Sequence, residues 1–164
     1  MNTRKNVILA LLTTTALMLS YIESLIPFFL GVPGMKLGLA NLAVVFCIYQ
    51  FGLKEAALLN FMRIVLSGLL FGNMFSILFS LSGAAVSFAA MVICKKIRFS
   101  IYGVSISGGV FHNIGQLLVA VFIVQNVSIS IYGPLLLISG LITGAFIGYI
   151  SKTLLKYTDR ILRK

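Results

Sequence analysis

Long apolar runs separated by short clusters of Gly, Pro, Asn, Lys and Arg set the pattern of this chain. Crossing about 30 Å of hydrocarbon takes roughly 20 helical residues, fewer or more with mismatch and tilt. On that ruler six runs stand out: Asn6 to Phe29, Leu37 to Phe51, Glu55 to Phe71, Met74 to Cys94, Ile101 to Val124 and Tyr132 to Leu155. The second is short, the length expected of a re-entrant or protein-buried helix. Turn chemistry gathers at the breaks, in Pro27 to Pro33, Gly52-Leu53-Lys54 and Gly72-Asn73. None of the runs alternates as a barrel strand would, and a bilayer interior has no water for open backbone groups, so helix is the economical conformation. The expected fold is an all-α integral membrane protein, six transmembrane helices in a single domain over residues 1–164.

Composition sharpens this. With 60% hydrophobic and 10% charged residues and a mean hydropathy of +1.10, the chain holds more apolar surface than one small soluble core can bury. The net charge of +10 would suggest nucleic acid in a soluble protein, but here the cations sit in short loops between apolar runs. Arg4, Lys5, Lys54, Lys95, Lys96, Arg98, Lys152, Lys156, Arg160, Arg163 and Lys164 fall on the side that carries both termini, and Lys36 falls opposite. That is the pattern that orients a membrane protein with both termini in the cytoplasm, with no nucleic-acid partner expected. Met1 to Tyr21 resembles a signal peptide, with Arg4 and Lys5 ahead of an apolar stretch. The stretch runs on to about Leu30 without an Ala-x-Ala site, so a retained first span is expected. The Lys-rich end after Ser151 keeps helical spacing and reads as a solvated, lipid-phosphate-facing tail. Cys47 and Cys94 lie in apolar runs without Cys-x-x-Cys or histidine spacing, which predicts no disulfide, metal or cofactor.

Polar groups inside a membrane are costly and mark function or packing. Glu23 falls near the outer end of the first run, with Lys36 and Asn41 at the same level. Arg63 lies near mid-membrane in the third run, and His112, Asn113 and Gln116 cluster in the fifth. A polar cavity in the outer half of the bundle would collect them, walled by Phe28, Phe29, Phe75, Phe79 and Phe111. Each residue also has a structural reading. Arg63 could pair with a carboxylate or carbonyls, His112 with a neighbouring helix, Asn113 and Gln116 across a packed interface, and Glu23 with interfacial water. Lys36 stands between Gly34 and Gly38, a cation on a hinged backbone, as a gate over a pocket requires. Gly140, Gly144 and Gly148 recur at four-residue spacing on the sixth run, which predicts close helix packing.

Enzyme chemistry is not expected. The acids are Glu23, Glu55 and Asp159, no two close in sequence, so no local Asp-rich site for a diphosphate-bound metal can be built. Phosphate-loop, Gly-x-Ser-x-Gly and His-Glu-x-x-His motifs are absent. ATP hydrolysis, if involved, would belong to another chain.

Pro33-Gly-Met-Lys-Leu-Gly-Leu-Ala-Asn41, Arg63-x-x-x-x-Gly68-x-x-x-Gly72, Ser80-Leu-Ser-Gly83 and Gly109-Val-Phe-His-Asn-Ile-Gly-Gln116 together resemble the bacterial Gx transporter family. That family is also called heptaprenyl diphosphate synthase component I, and it is similar to the substrate-binding S components of energy-coupling factor transporters. The resemblance covers nearly the whole chain. It implies a six-helix S-component-like bundle in the bacterial cytoplasmic membrane that binds a vitamin or similar small molecule. Its partners would be a shared transmembrane T component and a pair of ABC ATPases. By position, Gly34, Lys36 and Gly38 would belong to a lid and His112, Asn113 and Gln116 to the cavity wall. S components often dock through Ala-x-x-x-Ala in the first helix, where this chain has Ala10-x-x-x-Thr14 and Ala16-x-x-x-Ser20. Two other functions stay open. One is a non-catalytic accessory subunit of an isoprenoid or quinone assembly, and the other a proton-linked carrier using Glu23 and His112.

Overall fold

The computed structural model describes residues 3–25 and 38–162. Every regular element among them is helical: α1 (Thr3–Leu25), α2 (Asn41–Gln50), α3 (Leu53–Phe71), α4 (Met74–Lys96), α5 (Ile101–Val124), a 3-10 turn (Val127–Tyr132) and α6 (Gly133–Leu162). Four segments are long and apolar enough to cross a membrane: α1, α4, α5 and the stretch containing α6. The second helix, at 10 residues, rises only ~15 Å and reaches halfway through a bilayer. In α3 the obstacle is charge rather than length, since its 19 residues include Lys54, Glu55 and Arg63. Lys36, Gly34, Phe28 and Phe29 lie outside the described residues, as does the expected end of the first run at Phe29.

The breaks fall where capping chemistry stops one helix and starts the next. Gly52, at φ +117°, turns α2 into α3. Asn73 caps α4 by accepting the Ser76 N–H at 2.8 Å, and Ser100 caps α5 by accepting the Gly103 N–H at 3.2 Å. Each cap satisfies a helix-start donor that hydrocarbon could not. Threonines inside α1 are accommodated in the same way. Thr13, Thr14 and Thr15 donate to carbonyls four residues back at 2.8, 3.0 and 2.9 Å, so these three hydroxyls are paired within the helix.

Side-chain pairings give the direction of each helix. Residues of α4 meet α5 in reverse order, Gly83 against Gln116 and Met91 against Gly108. Those of α5 meet α6 likewise, Gly109 against Gly140 and Tyr102 against Gly148. α1 runs parallel to α3, with Lys5 paired to Glu55 at one end and Tyr21 4.6 Å from Phe71 at the other. α2 ends beside the end of α4, where Lys95 Nζ donates to the Ile48 carbonyl at 2.6 Å and lies 4.9 Å from the Tyr49 ring centre. The start of α1 and the end of α6 therefore share one end of the bundle. Lys54, Lys95, Lys96, Lys152, Lys156 and Arg160 gather there.

The apolar core lies nearest that end, around Ala16, Val44, Val45, Cys47, Ile48, Ala56, Leu59, Met91 and Val104. Outside it, large apolar side chains such as Leu11, Leu70, Leu118, Ile142 and Phe146 are exposed, as expected of helices whose solvent is lipid. α1 is the most weakly held helix, with Ala16 its one buried residue. Between its two ties it stands off α3 along a groove of about 520 Å³ lined by Leu9, Thr13, Leu17, Leu58 and Met62. The Lys5–Glu55 pair is solvent-screened, so it contributes little and does not lock α1 in place.

Candidate functional site

Arg63 is the tenth residue after Leu53, ~15 Å along α3, and an unshared guanidinium at that depth would be severely destabilising. Its Nε donates to Asn60 Oδ1 at 3.1 Å. Glu23, from α1, lines the same cavity and attracts it electrostatically. Glu23 in turn accepts a hydrogen bond from the Gly38 N–H, which fixes the start of the turn leading into α2. Gly38 sits at φ +71°, the left-handed region that glycine enters without strain. Its carbonyl accepts from the Asn41 N–H at 2.8 Å, closing the turn. The half-length of α2 matters here, because it brings the positive end of a helix to mid-membrane, with Gly38, Ala40 and Asn41 lining the cavity.

α5 supplies the opposite wall. Asn41 packs against Gly108, where a Cβ would come within 3.2 Å of Nδ2, so glycine admits the amide. His112 packs over Gly83 of α4, 3.0 Å from where a Cβ would stand. The cavity these groups enclose is about 60 Å³ and is lined by Glu23, Gly38, Ala40, Asn41, Arg63, Ser80, Gly109, His112, Asn113 and Thr143. A second hollow of about 100 Å³ adjoins it, sharing Glu23, Arg63 and Ser80 and adding Ser20, Ser24, Ser67, Phe71 and Ser76. Ser20 Oγ is buried and unpaired among the described residues. Together the two hollows form a polar chamber with room for several waters or one small polar group.

Of the sequence candidates, Glu23, Gly38, Asn41, Arg63, His112 and Asn113 meet around this chamber. Asn113 also has a packing duty, since its Nδ2 donates to the Leu136 carbonyl of α6 at 2.7 Å. Gln116 does not reach the chamber. It is buried at the α4–α5 seam with its Cγ against Gly83. Four residues along a helix turn a side chain ~40° further round, enough to carry it from cavity to seam.

Among the described residues, the expected aromatic wall of Phe75, Phe79 and Phe111 lines neither hollow. Phe75 stacks on Phe79 with ring centres 6.0 Å apart, and Phe111 lines an apolar groove on the outer face of α4 and α5. Phe71 is the aromatic that does line the chamber. Asn60, Ser80 and Thr143 are chamber or support residues that the sequence reading missed. Asn60 had a usable signal, an amide three residues before a membrane arginine and therefore on its face.

Chemically the chamber offers one guanidinium, one carboxylate, an imidazole, two amides and several hydroxyls. That set has the chemistry to bind an anionic or strongly hydrogen-bonding group. Among the described residues no three His, Cys, Asp or Glu side chains converge as a metal-ion site would require.

Residues 12–154 match the family model described as heptaprenyl diphosphate synthase component I. The chain belongs to that family. No curated protein and no solved structure matches it significantly.

Proposed function

We propose, on the premise of that family membership, that this chain is a membrane-embedded, non-catalytic substrate-binding subunit of the S-component kind. It would serve a small-molecule or vitamin-type transporter energised by separate ABC ATPases. The observation that carries this reading is the chamber: Glu23, Asn41, Arg63 and His112, drawn from four helices, line one hollow of about 60 Å³. Beside their packing partners, these groups converge on a space that takes a carboxylate- or phosphate-sized group. All six helices then sit in the bacterial cytoplasmic membrane, α2 as a half-span, with both termini and the basic end of the bundle in the cytoplasm. A larger ligand enters by displacing α1, the least buried helix. Lys36, as a lid residue, would slow its escape.

Native mass spectrometry of gently extracted protein tests this. A retained small molecule, with thermal stabilisation when it is added back, is expected. Well-folded protein that holds no ligand from any extract would sink the proposal. His112→Ala is expected to weaken binding by ~1–3 kcal/mol, about 5- to 150-fold, by leaving polar partners unmatched, with little change in unliganded melting temperature. If melting falls instead and affinity is unchanged, His112 belongs to the packing and not to the site.

The family's own description favours a second reading, an accessory subunit of an isoprenoid or quinone assembly in which the chamber's polar groups tie helices together. Affinity capture distinguishes the two. A prenyl-transfer enzyme recovered without T component or ATPase supports the second reading, and the reverse supports the first.

A further inference from the structure

α6 is longer than a membrane is thick. Its 30 residues rise ~45 Å against ~30 Å of hydrocarbon, so roughly its last third stands in the headgroup layer. Lys152, Lys156 and Arg160 follow at i, i+4 and i+8 in that third, and all three line one cleft of about 280 Å³ with Tyr102, Tyr149 and Tyr157. Lys152 Nζ lies 5.1 Å from the centre of the Tyr102 ring, a cation held over an aromatic face across the α5–α6 seam. Among the described residues none of these cations forms an ion pair with a carboxylate; the ion pair found is Lys5–Glu55 at α1 and α3. Asp159 borders the patch three residues after Lys156 but does not line the cleft.

Like charges at i, i+4 destabilise a helix. Orientation by positive charge needs cations at this end of the bundle, but does not need three of them facing one cleft. A counter-charge in the cleft removes the conflict. Above it, Ile142, Phe146 and Tyr149 form an exposed apolar stripe on α6, about 10 Å long, against which the first part of a hydrocarbon chain can lie.

We propose that this cleft is a binding site for a phosphate group bearing two or more negative charges, a phosphomonoester or diphosphate, at the head of an amphiphile whose chain lies along the α6 stripe. The proposal rests on the membrane placement of the bundle, but not on the ligand or function of the central chamber. Three cations and three phenol-bearing rings around one space favour a compact polyanion over a singly charged phosphodiester.

The test uses the purified full chain in detergent and native mass spectrometry against phosphatidic acid, phosphatidylglycerol and phosphatidylcholine, with inorganic diphosphate as the soluble probe. Phosphatidic acid is expected to bind at least about tenfold more tightly than phosphatidylglycerol. The variant K152Q/K156Q/R160Q is expected to lose that preference. K54Q/K96Q/R98Q, which removes three exposed cations from the same end of the bundle, is expected to keep it. If diphosphate alone binds as tightly as the lipid, the site stands and its ligand is a free anion. Equal losses in the two triple variants, or no preference between phosphatidic acid and phosphatidylglycerol, overturn the proposal and leave a generic basic face. A melting temperature of K152Q/K156Q/R160Q close to that of wild type serves as the check on folding.

Discussion

Arg63→Met is expected to lower stability by ~1–3 kcal/mol and to empty the chamber of ligand, and adding Glu23→Gln is expected to recover part of the first loss and none of the second. The stability loss follows from what the single change leaves behind. Glu23 and Arg63 line both hollows and attract each other there. Removing the guanidinium takes a counter-charge from a half-buried carboxylate and the Arg63 donor from Asn60 Oδ1, a cost of about 1–3 kcal/mol, while the Gly38 N–H still donates to Glu23. Removing both takes away the carboxylate whose counter-charge was lost, so melting returns part of the way towards wild type. Ligand binding behaves differently, because a guanidinium contributes ~1.5–3 kcal/mol through each hydrogen bond to a charged group, which its isostere cannot replace. Native mass spectrometry for occupancy and thermal melting for stability, on wild type, both single variants and the double variant, read the two effects separately. If the double variant regains stability and also holds its ligand as wild type does, Arg63 is a structural residue and the chamber is packing.

Much of the bundle could be read from the runs of residues alone, because Gly52, Gly72-Asn73 and Ser100 interrupt the apolar sequence with turn and cap chemistry where helices end. Depth also carried information. Glu23, Asn41, Arg63 and His112 lie on different helices and meet because each is a polar group placed at a similar height, and a membrane permits few such placements. Direction around each helix was not legible in the same way. A soluble helix declares its inner face by contrast with a polar outer one, but here lipid-facing Phe111 and Leu118 look no different in sequence from buried Val104 and Ile147. That is why the expected phenylalanine wall is absent from the hollows and why Gln116 turned out to lie in a seam. Serine and threonine were illegible for another reason. In a helix they can satisfy themselves on their own backbone, as Ser67 does on the Ile64 carbonyl at 3.1 Å, so Ser80 and Thr143 gave no sign that they face a cavity.

Gly144→Ala is expected to cost about 1–3 kcal/mol or more while Gly133→Ala, on the same helix, is expected to stay within about 1 kcal/mol of neutral. The two glycines have different surroundings. A Cβ on Gly144 would stand 2.6 Å from Ile106 Cα and 2.9 Å from the Ser105 carbonyl oxygen, and these are backbone atoms that cannot rotate away. Gly140 and Gly109 meet in the same manner, with a Cβ on Gly109 falling 2.5 Å from the Gly140 oxygen. A methyl group at Gly144 must therefore push α5 and α6 apart and forfeit close packing along the whole seam, which in lipid has little hydrophobic force to restore it. At Gly133 the nearest atom, Leu117 Cδ2, is 3.5 Å away, an ordinary contact, and the backbone is already right-handed helical at φ −49°. Alanine there loses less entropy on folding than glycine, which offsets the crowding between a Cβ and the ring of Pro134 that follows it. The consequence reaches the chamber, because Thr143 adjoins Gly144 and Gly109 sits in the lining beside His112. Thermal melting of both variants, with ligand occupancy measured on each, should show Gly144→Ala losing stability and occupancy together and Gly133→Ala losing neither. If Gly144→Ala melts like wild type, α5 and α6 do not meet backbone to backbone, and the position assigned to His112 fails with them.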